Sequence, residues 1–376
     1  MKPIRMVDLK TQYENIRPEV DRAMQQVIQD TAFINGPPVK DFAQALSEYL
    51  GTQHVIPCAN GTDALQIALM ALELEPGDEV ITPDFTFIST VEVVKLLGLK
   101  PVLVDVDEKD FTMAVEKVRE AITPRTRAIV PVHLYGQCAR MDELLKLARE
   151  HDIKIIEDAA QSLGADYLSG SSSQKSGTLG DIGCTSFFPS KNLGCYGDGG
   201  ALFTDDPRLA DSIKTIANHG SHQKYYHSRI GVNSRLDTLQ AAILQVKLQY
   251  LDHYNQARQR AAATYDQELS GIDPIATPAV MPHSTHIYHQ YTLTLQPDVS
   301  RDDLKTYLED RGIPTMVYYP VPMHMQEAFS DSGYREGDFP VSEKLSRSVL
   351  SLPMHTELEA DQIQNITETI KQYFIS

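Results

Sequence analysis

The chain has 376 residues, a formal net charge of −17, 42% hydrophobic and 23% charged residues, a balance that fits a globular protein of two or three domains with a large core. So acidic a composition excludes nucleic acid as a partner, because a phosphate backbone needs a basic face. The segment from Met1 to Gln12 has no apolar signal core and no run approaches the length of a membrane span, so the expected location is cytoplasmic, with no membrane contact. Cys58, Cys138, Cys184 and Cys195 show no C-x-x-C spacing and read as buried free thiols rather than metal ligands or disulfides.

A helical stretch runs from residue 16 to about 30, after which strand-like and helix-like segments alternate. Strands are expected at 54–57, 79–82, 100–106, 128–134, 154–157, 184–188 and 201–204, with helical spacing at 91–97 and 141–151. Continuous apolar strands separated by helices predict an α/β fold with a mostly parallel sheet covered on both faces. The Ser-rich segment 170–177 reads as a flexible loop. A long helical pattern at 236–269 leads to segments at 288–295, 301–311, 315–319 and 359–374 that suggest a smaller α+β domain. The expected division is a large α/β domain over 1–250 and a small C-terminal domain over 251–376.

Chemistry-bearing residues fall just past the expected strands, where open α/β sheets bind ligands. After the first strand, Asn60-Gly61-Thr62 opens a helix whose free N–H groups and hydroxyl suit a phosphate. Phe85, past the second strand, offers a ring face for stacking. Asp158 ends a buried strand, where it is either a structural cap or the carboxylate that keeps a pyridine nitrogen protonated. Gln161 could then face the ring's phenolic oxygen, and Ser186 could add a second hydroxyl to a phosphate site. The most informative residue is Lys191, set between Phe187-Phe188-Pro189 and the glycines 194, 197, 199 and 200. A partly dry setting lowers an amine's pKa and frees its lone pair, while glycines let backbone approach a bulky planar ligand. Together these needs are those of a pyridoxal phosphate Schiff-base lysine.

On these motifs the chain resembles the DegT/DnrJ/EryC1/StrS sugar aminotransferases, fold-type I pyridoxal phosphate enzymes, almost from end to end, from Val7-Asp-Leu-Lys10 to Leu352-Pro-Met-His355. Segments 186–200 and 231–243 are most similar to enzymes that aminate C3 of UDP-2-acetamido-2-deoxy-3-keto-glucuronic acid. The resemblance implies that Lys191 carries the cofactor, Asp158 pairs with its pyridine nitrogen and Gln161 meets its oxygen side. It implies that Gly61, Thr62 and Ser186 hold the phosphate with Phe85 against the ring. It further implies a homodimer with shared active sites, in which Asn233 reaches the neighbour's cofactor phosphate and Arg235 its substrate. Tyr319 and His324 match positions that line the sugar pocket, and Tyr318 stands where many C3-aminating relatives carry histidine. The expected partners are a nucleotide sugar and an amino donor, glutamate by the same resemblance, in the service of a surface polysaccharide such as O-antigen lipopolysaccharide.

Other readings remain open on sequence: another 3-keto or 4-keto UDP- or dTDP-sugar as acceptor, or a non-catalytic regulator on the same fold. Sugar dehydratases of the same lineage carry histidine at the Schiff-base position, where this chain has Lys191. His283, His286 and His289 fall at three-residue steps, but Pro282 and β-branched neighbours place them in a turn and strand that alternates faces, which disfavours a metal. Glycines 197–200 lack the strand–turn–helix setting of a dinucleotide fingerprint. Glu157 and Asp158 are adjacent on a strand and so point to opposite faces. An acidic chain that binds an anionic nucleotide sugar needs a local basic pocket, for which Lys224, Arg229 and Arg235 are the candidates.

Overall fold

The computed structural model describes residues 2–375. The chain opens with α1 (Leu9–Asp30), which starts earlier than its apolar spacing suggests because Asp8 caps it, accepting from the Thr11 N–H at 3.1 Å and the Thr11 hydroxyl at 2.7 Å. Helix α2 (Pro37–Leu50) follows, with proline at its first turn. Seven strands then form the central sheet: β1 (His54–Cys58), β2 (Glu79–Pro83), β3 (Lys100–Val104), β4 (Thr126–Ile129), β5 (Lys154–Asp158), β6 (Ile182–Ser186) and β7 (Gly200–Thr204). Their order is β1-β7-β6-β5-β4-β2-β3. Strands β2 to β6 pair in parallel and β7 runs antiparallel to both its neighbours, as a mostly parallel α/β sheet requires. Strand β4 is shorter than expected: Pro131 lacks the ladder N–H, and Leu134–Gly136 turns into a short 3-10 helix.

Helices α3 (Gly61–Ala71), α4 (Ser89–Leu96), α5 (Val115–Ala121), α6 (Met141–His151) and α7 (Pro207–Ala217) connect these strands. Adjacent strand residues feed opposite layers. Val80 and Ile156 pack with Leu65, Ile67 and Ile213, whereas Ile81 and Ile155 pack with Met141, Leu144 and Leu147. The long helical pattern breaks at Gln249–Tyr250 into α8 (Thr238–Leu248) and α9 (Leu251–Leu269). Beyond them, β8 (Ile275–Ala276), β9 (Tyr291–Leu295) and β10 (Val349–Leu352) form a three-stranded antiparallel sheet. Helices α10 (Arg301–Glu309), α11 (Pro340–Ser348) and α12 (Ala360–Ile375) complete that region. Tyr265, Tyr291, Leu304, Leu308 and Ile366 share a separate core there, and Ile4 packs on it from the other end of the chain. No helix among the described residues is long and apolar enough to cross a membrane.

Candidate active site

The site is built from loops that leave the sheet at β1, β2, β5 and β6. At β1, Asn60 caps α3: its side-chain oxygen accepts from the Asp63 N–H at 2.8 Å and its carbonyl from the Ala64 N–H at 3.1 Å. The Gly61 and Thr62 N–H groups keep no partner among the described residues, at the positive end of the helix. The Thr62 and Ser89 hydroxyls lie 2.9 Å apart. A Cβ placed on Gly61 would stand 2.7 Å from the Ser186 Cβ, so only glycine lets the end of β6 close against this helix start. Two free N–H groups and the hydroxyls of Thr62, Ser89 and Ser186 thus lie together at this helix start, with the chemistry of a phosphate cradle.

Asp158, 7% exposed, ends β5 beside this cradle. The Thr90 hydroxyl donates to its Oδ2 at 2.8 Å and the Ala160 N–H to its Oδ1 at 3.2 Å. Glu157 does point the other way. It accepts from the N–H groups of Gly177, Leu179 and Gly180 at 3.0, 2.6 and 2.6 Å and from His133 Nε2 at 2.7 Å. His133 Nδ1 accepts from the Ala139 N–H, so this histidine is the Nε2–H tautomer and serves the fold. Gln161 accepts from the Tyr135 N–H at 2.8 Å and donates to the Tyr319 hydroxyl at 3.0 Å, which ties the β5 end to the 318–324 segment.

Lys191 is half-buried, and its pKa is pushed down to about 8: burial penalises the ammonium and the Asp158 charge only partly offsets it. The aromatic run does not supply that burial as expected. Phe187 turns into the core against Phe42, 5.4 Å between centroids, while Phe188 is 53% exposed. The glycines also have another use. A Cβ on Gly194 would meet the Pro189 carbonyl oxygen at 2.4 Å, and one on Gly200 the Asn60 carbonyl oxygen at 2.4 Å. They let the lysine turn and β7 close against the protein's own backbone, including the phosphate cradle, rather than against a ligand.

The remaining expected residues are placed unevenly. Phe85 is 1% exposed, with its ring edge toward Tyr319, and presents no open face. Phe87, two residues on, is 55% exposed and lies 6.2 Å from Tyr319. Both Phe87 and Thr90 escaped the sequence reading. The pattern Thr86-x-x-x-Thr90 at the start of α4 is the signal that could have found them. His324 lines no open surface: its side chain is fully buried between Asp84, 2.8 Å from Nδ1, and Glu343, 3.3 Å from Nε2. Burial works against its imidazolium, but those two carboxylates outweigh it and raise its pKa. Tyr318 is half-buried and its carbonyl accepts from the Tyr135 hydroxyl. Arg229 is bound to Glu73, 3.1 Å away, and to the Ser212 hydroxyl. Glu73 lies beyond the far end of α3 from Gly61, a separation of about 16 Å at ~1.5 Å per residue, so Arg229 is not brought to this site. Arg235 is half-buried and makes no hydrogen bond or ion pair among the described residues. Its neighbour Ser234 accepts from the Ala59 N–H at 3.0 Å, and Asn233 is exposed. All four cysteines are buried and free.

A carboxylate for a protonated ring nitrogen, an amine partly neutral near pH 8, an anion cradle and an open aromatic face converge on one mouth, and this set fits pyridoxal phosphate. Comparison with known proteins agrees. Residues 14–371 match the model of the DegT/DnrJ/EryC1/StrS aminotransferase family. The chain is 46% identical to the UDP-2-acetamido-2-deoxy-3-oxo-D-glucuronate aminotransferase of Pseudomonas aeruginosa, over 96% of this chain and 98% of that protein. It is 44% identical to a protein of Geobacillus stearothermophilus named as a pleiotropic regulatory protein, over 98% of both chains. Among solved structures, S. venezuelae DesV in complex with a ketimine intermediate superposes with a TM-score of 0.95 at 40% identity, covering 100% of both chains. The chain belongs to the DegT/DnrJ/EryC1/StrS aminotransferase family, with the fold of a pyridoxal phosphate aminotransferase and pyridoxal phosphate as its cofactor.

Proposed function

We propose that the enzyme moves an amino group, with glutamate as donor, onto C3 of UDP-2-acetamido-2-deoxy-3-keto-glucuronate, for a surface polysaccharide. The bound cofactor supplies the electron sink that lets a C–H bond beside nitrogen give up its proton. Lys191 would hold the cofactor and, when its amine is free, would carry a proton to or from the reacting carbon; burial, which brings the free amine down to about 8, suits it to both roles. Asp158, oriented by Thr90, would keep the ring nitrogen protonated, and the Gly61–Thr62 helix start with Ser186 would hold the phosphate. Gln161 and Tyr319, bonded to each other, would meet the oxygen side of the ring, and the exposed Phe87 would offer it a stacking face.

The observation that carries the sugar assignment is Arg235: a half-buried guanidinium with no hydrogen-bond or ion-pair partner among the described residues. A uronate carboxylate taken from water needs a charge-assisted fork of this kind. The 46% identical relative, named for a 3-oxo-glucuronate, supports the same reading. Two copies would pair in the cytoplasm as a homodimer, with Arg235 and the exposed Asn233 serving the partner's mouth. The exposed apolar residues Tyr225, Tyr226 and Ile230 on the hairpin before them suit such an interface.

The test is the kcat/KM of the uronate against the matching 3-keto sugar with CH2OH at C6. The uronate is expected to be preferred by about 1.5–3 kcal/mol, the worth of hydrogen bonds to a charged group, and Arg235→Ala to erase most of that. Equal efficiency, or preference for a 4-keto sugar, would reject the uronate. The regulatory name of the Geobacillus relative favours a second reading, a cofactor-binding regulator; turnover of any keto sugar in the panel excludes a purely regulatory role.

A further inference from the structure

The ends of β2 and β3 each carry a buried aspartate that the proposed chemistry does not use. The Asp84 N–H donates to the Val104 carbonyl at 2.9 Å, so Asp84 and Asp105 sit side by side past the two strands. Asp105 caps α11: it accepts from the N–H groups of Val341 and Ser342 at 2.9 and 2.8 Å and from the Ser342 hydroxyl at 2.7 Å. Asp84 takes His324 twice. Its Oδ1 accepts from the His324 N–H at 2.7 Å, and its Oδ2 lies 2.8 Å from Nδ1. Its carbonyl accepts from the Met323 N–H at 2.9 Å. On the far side of the ring, Nε2 lies 3.3 Å from Glu343 Oε1, close enough for the charge to act but out of line for a hydrogen bond. That oxygen itself accepts from the Gly337 N–H at 2.6 Å.

Both ring nitrogens therefore face carboxylate oxygens, which only accept. A neutral imidazole keeps a bare lone pair on one nitrogen, and here that lone pair would oppose a negative oxygen out of reach of water. A proton on each nitrogen removes the conflict, so the ring suits this site as an imidazolium. Of the other titratable groups around it, Asp105 adds negative charge beside Asp84, and the exposed Arg347 lies 3.8 Å from Glu343 Oε2. The Tyr334 hydroxyl accepts from the Leu103 N–H, and the Phe339 ring packs on the imidazole with 4.8 Å between centroids. Burial opposes the cation, but Asp84 and then Glu343 outweigh it and hold its pKa above the ordinary 6.5.

The same two segments meet again at the mouth. Phe85 and Phe87 follow Asp84 in the chain and Tyr319 precedes His324, and both phenylalanine rings pack on the tyrosine, with centroids 6.0 and 6.2 Å away. Tyr319 in turn accepts from the Gln161 NH2 at 3.0 Å. We propose that His324 is a positioning residue: a fixed cation between Asp84 and Glu343, it clamps the 318–324 segment to the loop after β2 and so holds Tyr319 and Phe87 in place at the mouth, itself touching neither sugar nor cofactor. The inference rests on the proposed use of Tyr319 and Phe87. It goes further in giving the buried histidine a charge and a task.

The charge is read without turnover. In 15N spectra of histidine-labelled holoprotein, His324 should carry protons on both nitrogens and titrate with a midpoint above 6.5, which Asp84→Asn should bring down by about one unit or more. A midpoint at or below 6.5 in the unaltered protein overturns the proposal. The task is read in the single-turnover reaction of the pyridoxal form with glutamate. In His324→Asn the amide NH2 falls near Nδ1 and keeps a donor to Asp84, but the charge is gone. The expected result is retained cofactor and a rate lowered by roughly 10- to 100-fold. Adding Tyr319→Phe should cost little beyond the larger single loss, because the histidine acts through that tyrosine. The cation is present below its raised pKa and lost as pH rises through it, so the gap between the unaltered protein and His324→Asn should be full on the acid side and shrink above it. Additive losses, or a gap that does not change with pH, would leave His324 a purely structural role and overturn the proposal. Failure of every keto sugar overturns only the proposed function, because this reaction needs no sugar.

Discussion

Thr90→Val tests whether the Asp158 carboxylate acts through its orientation. The swap nearly conserves volume at a residue that is 1% exposed, so it leaves no significant cavity and isolates the loss of one hydroxyl. That hydroxyl donates to Asp158 Oδ2 at 2.8 Å, and the other carboxylate oxygen keeps only the Ala160 N–H at 3.2 Å. A hydrogen bond to a charged group contributes about 1.5–3 kcal/mol, so its loss, if felt fully in the transition state, lowers kcat/KM by roughly 10- to 150-fold. The assay is the single-turnover reaction of the pyridoxal form with donor, followed by absorbance, alongside the cofactor dissociation constant. Asp158→Asn and the double variant complete a cycle. If Thr90 acts through Asp158, adding Thr90→Val to Asp158→Asn should cost little more, with a coupling near the same 1.5–3 kcal/mol. Additive losses, or a Thr90→Val effect below about threefold (~0.7 kcal/mol), would refute the argument.

Covalent capture of cofactor should follow the neutral fraction of Lys191, rising with pH and levelling off above about 8, and borohydride reduction should place the label on Lys191 alone. The stability of cofactor-free protein should carry the matching signature. A lysine lowered to about 8 when folded and near its ordinary 10.5 when unfolded binds fewer protons in the native state, so stability rises between those values by up to ~3 kcal/mol. Chemical denaturation across that window should show a shallower rise in Lys191→Met. For the proposed dimer, co-expressing Lys191→Ala with Arg235→Ala should restore activity, because one mouth of a hybrid is then intact; confirmed hybrids without activity would mean that each chain completes its own site.

The architecture was legible because strand and helix periods differ, and five strands near the site repeat the expected segments to within a residue or two at each end. The exceptions have local causes. Pro131 cut β4 short, and the Asp8 cap lengthened α1, neither of which hydrophobic spacing registers. Asp158 and Ser186 end strands, and Gly61, Thr62, Gln161 and Lys191 lie a few residues past strand ends, where topology alone could bring them together. The direction of a side chain was less legible. Phe85 and Phe87, two residues apart, would share a face on an extended strand; the bends at residues 84–86 send one into the core and the other outward, and their spacing does not reveal it. His324 reads as a pocket residue until Asp84 and Glu343, far away in the chain, are seen to enclose it. Roles set by long-range polar partners, such as Thr90 to Asp158, leave no local pattern.

The same distinction resolves the conflict between a chain of net charge −17 and an anionic cofactor and substrate. The surface segment that seemed to offer the needed cations does not, since Arg229 is spent on Glu73. The cations lie inside instead. Lys247, 1% exposed, is held only by the Gly194 carbonyl at 2.5 Å and the Tyr196 ring, and its pKa is pushed down to about 8 by burial. Arg258, 3% exposed, is held by the carbonyls of Tyr288, His289 and Met354, and burial brings it down to about 10. Neither has a carboxylate partner among the described residues; Lys247 supports the turn after Lys191, and Arg258 supports the backbone at Tyr288, His289 and Met354. Surface carboxylates are screened within about 10 Å at ordinary salt, whereas buried charges act through low dielectric with little screening. At the cradle itself the free N–H groups at the positive end of α3 supply a favourable potential, although acidic residues outnumber basic ones by 51 to 34 in the whole chain.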